Sequence, residues 1–372
     1  MTFGVFSEEQ DEFRDGVRRF LADKSPETEV RRLMETDSGY DPAVWRQMSD
    51  QLGLQGLIVP ERYGGGGFGY VELTGVLEEM GAALLCAPYF ATVALAANAL
   101  LQCGDDAAHA ALLPGIASGE TIATLAVAED AGQWVADAVT ATADEAGEEW
   151  AISGHKNYVI DGLTADLLLV VARAPGGLSV FAVRADAPGL ERAPLTTIDE
   201  TRKQARIEFD ETPATLVGGE GGAAAGISRT LDLAAVALAA EQVGGAQRCL
   251  DNAVDYAKER IQFGRPIGSF QAIKHRCADM LVDVESARSA AYYGGWAAAE
   301  EDPELPAVAS LAKAHCSEVY VNAALANIQI HGGMGFTWEH HAHLYFKRAK
   351  SSELLFGDPA YHRELLAQRM GI

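Results

Sequence analysis

Residues 228–260, SRTLDLAAVALAAEQVGGAQRCLDNAVDYAKER, read as one long helix with apolar side chains on nearly every face. Such a helix cannot rest on a surface with one side in water; it needs other helices of its own chain or of a neighbouring subunit around it. Its first half carries two carboxylates, Asp232 and Glu241, and Glu241 interrupts an otherwise apolar stretch. The chain has the means to surround it, with 372 residues of which 48% are apolar. Single cores stop growing at roughly 250–300 residues, so two or three domains are expected.

The texture changes twice along the chain. Ser7 to about Gly119 reads as helical: Ser7 with Gln10 offers a capping box, and Phe6, Phe13, Val17, Phe20 and Leu21 share one helical face. GLIVPERYGGGGFGY (56–70) interrupts this, because consecutive glycines cannot hold a helix. It is either a positioned loop at a substrate entrance or a plain connection; no Lys-Ser/Thr follows it, so it is no phosphate loop. Between Glu120 and about Gly222 come short β-rich runs, TIATLAV, VTATA, EWAISGHKNYVI, DLLLVVAR, LSVFAVR and QARIEFD, which predict a compact antiparallel sheet or barrel. Ala- and Leu-rich helices then run to the end. The fold class is mainly α with a β insert, divided as 1–119, 120–222 and 223–372.

Charge and cysteine usage exclude several functions. With 29 Lys and Arg against 53 Asp and Glu, the net charge of -24 repels nucleic acid and anionic lipid surfaces. The five cysteines are scattered without C-x-x-C spacing, as expected of reduced thiols in a cytoplasmic protein. The N-terminus alternates apolar and charged residues at helical spacing, and no signal peptide or membrane span is predicted. His331, His340, His341 and His343 lie close in sequence, but no cysteine or carboxylate completes a ligand spacing, so no metal is expected.

Two later segments carry recognisable chemistry. In RIQFGRPIGSFQAIKH (260–275), Arg260 at a helix end supplies a planar cation for bidentate phosphate binding, Phe263 a flat apolar face, and Gly264 and Pro266 a turn. In QIHGGMGFTWEH (329–340), the glycines let backbone N–H groups approach a phosphate near a helix terminus. Each alone also fits a plain turn between helices. Together such loops can clasp a dinucleotide pyrophosphate.

These two segments, with GLQGLIVPERYGGGG (53–67) and the order helical, β, helical, resemble the acyl-CoA dehydrogenase family over the whole chain. The resemblance implies that family's fold: an N-terminal helical domain, a middle β-barrel or sheet domain and a C-terminal four-helix bundle. It also implies FAD as cofactor and α,β-dehydrogenation of an acyl-CoA thioester. In that family the two later segments reach the ADP half of the FAD held by a neighbouring subunit. By resemblance, then, Arg260, Gln262, Phe263, Gln271, Gln329, Gly332, Gly333 and Gly335 would serve the cofactor in trans.

The rest of the family's site is missing. Its catalytic base is a glutamate in a Tyr-Glu-Gly-Thr turn near the C-terminus; alignment on Arg348, Ala349, Lys350 and Gly357 puts Phe356 there, and phenylalanine accepts no proton. A second subgroup carries the base on the long helix, with an arginine for coenzyme A beside it; here those positions are Ala234 and Ala235. The family's flavin-contacting Thr-Glu-Pro-x-x-Gly-Ser-Asp loop corresponds to Ala128–Trp134, with only Glu129 retained. In Lys156–Gly162, Tyr158 replaces a tryptophan and Ile160 a threonine that reaches the flavin ring. Every segment expected to hold flavin ring, thioester or coenzyme A is altered, while those expected to reach a neighbour's FAD match.

The expectation is therefore a non-catalytic subunit that shares FAD with a catalytic acyl-CoA dehydrogenase subunit, resembling the α2β2 enzymes of bacterial steroid side-chain degradation. No catalytic residue is expected in this chain, and a steroid-derived acyl-CoA is the substrate by analogy alone. Two other readings stand beside it. One is a self-sufficient homotetramer using Glu241 as base. The other is a non-redox binding or structural member of the fold.

Overall fold

The computed structural model describes residues 6–147 and 149–372. In chain order the first helices are α1 (Glu8–Lys24), α2 (Glu27–Met34), α3 (Pro42–Leu52) and α4 (Tyr70–Ala82). A π-helical segment, Phe90–Ala97, runs into α5 (Asn98–Cys103), and α6 (Asp106–Ala117) follows. Strands β1 (Ala123–Ala126), β2 (Thr142–Ala146), β3 (Glu149–Ile160), β4 (Leu167–Ala174), β5 (Gly177–Arg184), β6 (Leu190–Pro194) and β7 (Gln204–Val217) come next. Helix α7 (Ala223–Glu259), the small strands β8 (Ile261–Gln262) and β9 (Arg265–Pro266), α8 (Gln271–Ala299), α9 (Leu305–His331), α10 (Ala342–Leu354) and α11 (Pro359–Arg369) complete the chain. The helical majority with a sheet between is the expected class.

The chain divides into two compact units that cut across the sequential order. One gathers α1, α4 and the chain from Ala235 onward; the other holds α3, α5, α6 and strands β1 to β7. In the second unit the strand pairings run from β4 through β2, β3, β7 and β5 back to β4, so the sheet closes, with β1 and β6 on its margins. Its interior is filled by Ile152, Leu168, Val170, Phe181, Val183 and Ile207, each fully buried. Alternation puts them inside because side chains on a strand point to opposite faces in turn. The β-rich runs locate β1 to β5 and the first half of β7. They miss β6, whose sequence LERAP carries two charges and a proline; a marginal strand tolerates what an inner strand cannot.

In the helical unit, α7 confirms the reading of 228–260. Val236, Leu238, Ala239, Val243, Ala246 and Cys249 are all buried. Among the described residues it is the one helix long and apolar enough to cross a membrane, and 67% of its most apolar window is buried in the protein. Glycines let α4 come against it: a Cβ on Gly81 would stand 2.0 Å from the Glu241 carbonyl oxygen, and one on Gly244 1.8 Å from that of Glu78. Seen from sequence these glycines are only helix-weakening residues; their reason is the backbone of the helix opposite. The capping box at Ser7 and Gln10 forms as expected.

Candidate functional site

Two of the segments read from sequence meet at one end of the helical unit. After α7 stops at Glu259, β8 and β9 form a minimal hairpin in which Ile261 faces Pro266 and Gln262 faces Arg265. The two loop residues, Phe263 and Gly264, have φ of 53° and 77°. Two successive positive φ values make the turn type I′, whose twist suits paired strands. Glycine adopts that conformation without cost, whereas phenylalanine does so only against strain. Phe263 is nonetheless 92% exposed, touching its own chain chiefly at the edge of Phe270, 6.1 Å between centroids. Arg260 stands exposed just before the hairpin, and its carbonyl accepts from the Ile267 amide at 2.8 Å. Gln271, the first residue of α8, is exposed too.

Helix α9 ends beside this hairpin. Tyr256, one turn before Arg260, stacks on His331 at 4.2 Å and 24°. Exposed Gln329 lies on the last turn of α9, and Gly332 breaks the helix with φ of 63°. The glycines that follow differ in what demands them. A Cβ on Gly335 would meet the His331 Cβ and the Ile328 carbonyl at 2.8 Å, an internal need. Gly333 has helical φ of -55° and open space where a Cβ would stand. Nothing within the described residues requires glycine there. A backbone left bare toward open space suits the close approach of a molecule from outside the chain.

The turn expected to carry a base is intact without one. Phe356, between α10 and α11, is 3% exposed with φ of 61°, and Gly357 follows at φ of 109°. Buried Lys313 of α9 holds this turn: its Nζ donates to the carbonyls of Glu353 (3.0 Å) and Gly357 (2.9 Å) and to Ser317 Oγ (3.0 Å). Burial drives its pKa down to about 7. The Phe356 carbonyl accepts from His362 Nε2 at 3.0 Å, and burial lowers that imidazole to about 4. Asp358, the acid nearest in sequence, caps α11 by accepting from the Tyr361 amide at 2.7 Å. Sequence reading passed over Lys313; a lone lysine in the apolar run SLAKAHCSEVY was the available signal.

Glu241 pairs with Arg348 of α10 at 2.9 Å, with side chains 6% and 2% exposed. A carboxylate so paired is committed to joining two helices, not poised over a substrate. Asp232 is buried, as are Ala234 and Ala235.

In the sheet unit, Glu129 accepts from the amides of Thr140 (2.9 Å) and Ala141 (3.0 Å), from the Thr140 hydroxyl and from Lys156 Nζ (2.9 Å). Burial raises its pKa, but the bonds from Lys156 and Thr140 outweigh this and hold it down to about 2. The one retained residue of the flavin-contacting loop thus serves the chain's own architecture. Asp130 is likewise engaged by Arg206 and by Asn157 Nδ2. Ile160 is buried, its carbonyl accepting from Thr124 Oγ1 at 2.6 Å; Tyr158 and Asp161 sit at φ of 58° and 53°. The glycine loop folds back on its own approach, with Gly66 N on Gly56 O (2.8 Å) and Gly67 N on Val59 O (2.9 Å). No group of three or more potential metal ligands occurs among the described residues.

Comparison with known proteins covers nearly the entire chain. Residues 7–120, 124–212 and 221–371 match the models of the N-terminal, middle and C-terminal domains of acyl-CoA dehydrogenase. The acyl-CoA dehydrogenase IpdE2 of Mycobacterium tuberculosis is 37% identical over 359 residues, 96% of this chain and 95% of that one. Among solved structures, the Tcur3481-Tcur3483 steroid ACAD is 32% identical with a TM-score of 0.88, covering 98% of each chain. The ChsE4-ChsE5 complex from Mycobacterium tuberculosis is 28% identical with a TM-score of 0.90, covering 100% of this chain and 99% of that one.

Proposed function

Because this chain belongs to the acyl-CoA dehydrogenase family, we propose that it is the non-catalytic subunit of a heteromeric, FAD-dependent acyl-CoA dehydrogenase, completing the ADP side of a cofactor site whose base lies on another subunit. The observation that carries this reading is Gly333: a glycine that neither its φ nor its own chain requires, in a chain that also leaves strained Phe263 and Arg260 exposed. Such features cost stability in an isolated chain and make sense when a ligand covers them. Two structural relatives are solved as complexes of two named proteins, and one of these is described as a steroid ACAD, which supports an unlike partner and a steroid-derived acyl-CoA.

The residues fit the cofactor's ADP half. Arg260 offers a planar bidentate donor to a diphosphate oxygen, Phe263 a face for a flat ring, and Gly332, Gly333 and Gly335 a backbone that admits close approach; Gln262, Gln271 and Gln329 supply amides. Held by these residues, FAD would supply a hydride acceptor for the substrate β-carbon. This chain's part is to bind and orient, for the proton on the α-carbon needs a carboxylate and the turn at Phe356 has none. Glu241 could serve as base only after giving up Arg348, which weighs against a self-sufficient homotetramer. An α2β2 assembly in the cytoplasm, with domain boundaries at 1–119, 120–222 and 223–372, completes the proposal.

Flavin stoichiometry tests it. The chain purified alone should hold little FAD, and co-purified with its partner one FAD per unlike pair, lost on Arg260→Ala. One FAD per chain in the isolated protein, bleached by an acyl-CoA, would overturn the reading.

A further inference from the structure

A cavity of about 320 Å³ opens within the helical unit, lined by residues other than those of the hairpin and the α9 terminus; His341 on its wall stacks on His340, whose ring lies 4.4 Å from that of His331. Its apolar wall comes from Leu21 of α1, Val30 of α2, Leu84 after α4 and Leu344 of α10. The volume falls at the small end of ligand clefts, and the mixture of aliphatic wall and a few polar groups is their usual lining.

The polar groups around it are nearly all spoken for. Arg18 donates to both carboxylate oxygens of Glu79 (2.9 and 2.8 Å) and to Asp15 (2.7 Å). Glu27 is engaged by Arg31 at 2.8 Å and by His341 Nδ1 at 3.2 Å. Asn252 Nδ2 donates to His341 Nε2 at 2.9 Å. Burial lowers the His341 pKa, and Glu27 beside it opposes that shift. Ser25 Oγ and Tyr345 Oη donate to the carbonyls of Ala83 (3.1 Å) and Ala82 (2.8 Å).

Arg248 of α7 is different. Its exposed guanidinium lines the same cavity and has no carboxylate or hydrogen-bond partner among the described residues. Every other charge in the lining is matched, so the cavity presents one unspent cation above an aliphatic wall. We infer that this cavity binds a small amphipathic carboxylate, its oxyanion on Arg248 and its hydrocarbon body against Leu21, Val30, Leu84 and Leu344. Arg248 suits this because the guanidinium fork matches a carboxylate in bidentate geometry. The inference stands apart from the assignment of the cofactor site, which involves none of these residues.

Octanoate and uncharged 1-octanol, titrated calorimetrically into the purified full-length chain, test it. Octanoate should bind one site with a dissociation constant of order 1 mM or tighter, as expected of a ligand with so few heavy atoms. Octanol, lacking the charge, should bind at least about tenfold more weakly. Arg248→Glu should weaken octanoate by about tenfold or more, and Ala22→Trp, at an exposed position on the cavity wall, should block both probes. Circular dichroism establishes that each variant is folded. Absence of octanoate binding, equal binding of the two probes, or octanoate binding unchanged in both variants would overturn the inference.

Discussion

Glu241 and Arg348 form an ion pair at 2.9 Å in the interior of the helical unit, both side chains almost wholly removed from water. The pair joins α7 to α10 and ties a carboxylate set in an apolar stretch to a buried guanidinium. Breaking such a pair by removing one partner leaves an uncompensated buried charge and costs about 3–5 kcal/mol, whereas replacing both partners by apolar residues of similar size is often neutral. Glu241→Leu should therefore lower stability by about that amount, and the double change Glu241→Leu with Arg348→Met should restore most of it. Urea unfolding of the three variants checks this. Lost dehydrogenase activity in Glu241→Gln, with unchanged stability, would instead revive the catalytic reading.

Lys313 should give the chain a pH dependence. Its folded-state pKa is pushed by burial to about 7, below the ordinary 10.5. Between those values the unfolded chain holds a proton that the folded chain has shed, so this group makes stability rise with pH across that window. Lys313→Met should remove that slope while also freeing the turn at Phe356. Midpoints of urea unfolding for both proteins at several pH values between 7 and 10 are the measurement; parallel profiles would refute the assignment.

Phe263 should trade stability for function. Asparagine tolerates positive φ far better, and Asn-Gly is the preferred pair for a type I′ turn. Phe263→Asn should stabilise the isolated chain by roughly 0.5–1 kcal/mol, since an exposed ring loses little by removal. If the proposed function holds, the same change should reduce the flavin retained when the chain is co-purified with an unlike partner. Differential scanning calorimetry and flavin absorbance read the two effects separately.

The neighbouring glycines separate packing from recognition. Gly335→Ala would bring a methyl group to 2.8 Å from the Ile328 carbonyl and His331 Cβ, and should cost about 1–3 kcal/mol of stability. Gly333→Ala meets open space at a helical φ and should leave the isolated chain as stable as before or slightly more so. Its effect should appear only in the complex, as lost FAD. If Gly333→Ala retains full flavin, the close approach proposed there is wrong.

The amino-acid pattern was enough to determine the class of fold, because periodicity and burial are local consequences of residue order. The all-round apolar character of 228–260 foretold a buried α7, the β-rich run EWAISGHKNYVI foretold β3 over Glu149–Ile160, and the turn at Gly264 was legible in its glycine. Absent side chains were legible too: no arrangement of the chain makes a base of Phe356. What lies far apart in sequence was decided by the tertiary structure alone. Only there do Glu241 and Arg348 find one another, Lys313 reaches the carbonyls of Glu353 and Gly357, and Tyr256 stacks on His331. The physical reason is that a charge's meaning depends on its partner and its solvent: in sequence Glu241 is a carboxylate in an apolar helix, and only folding supplies the buried guanidinium that determines what it does.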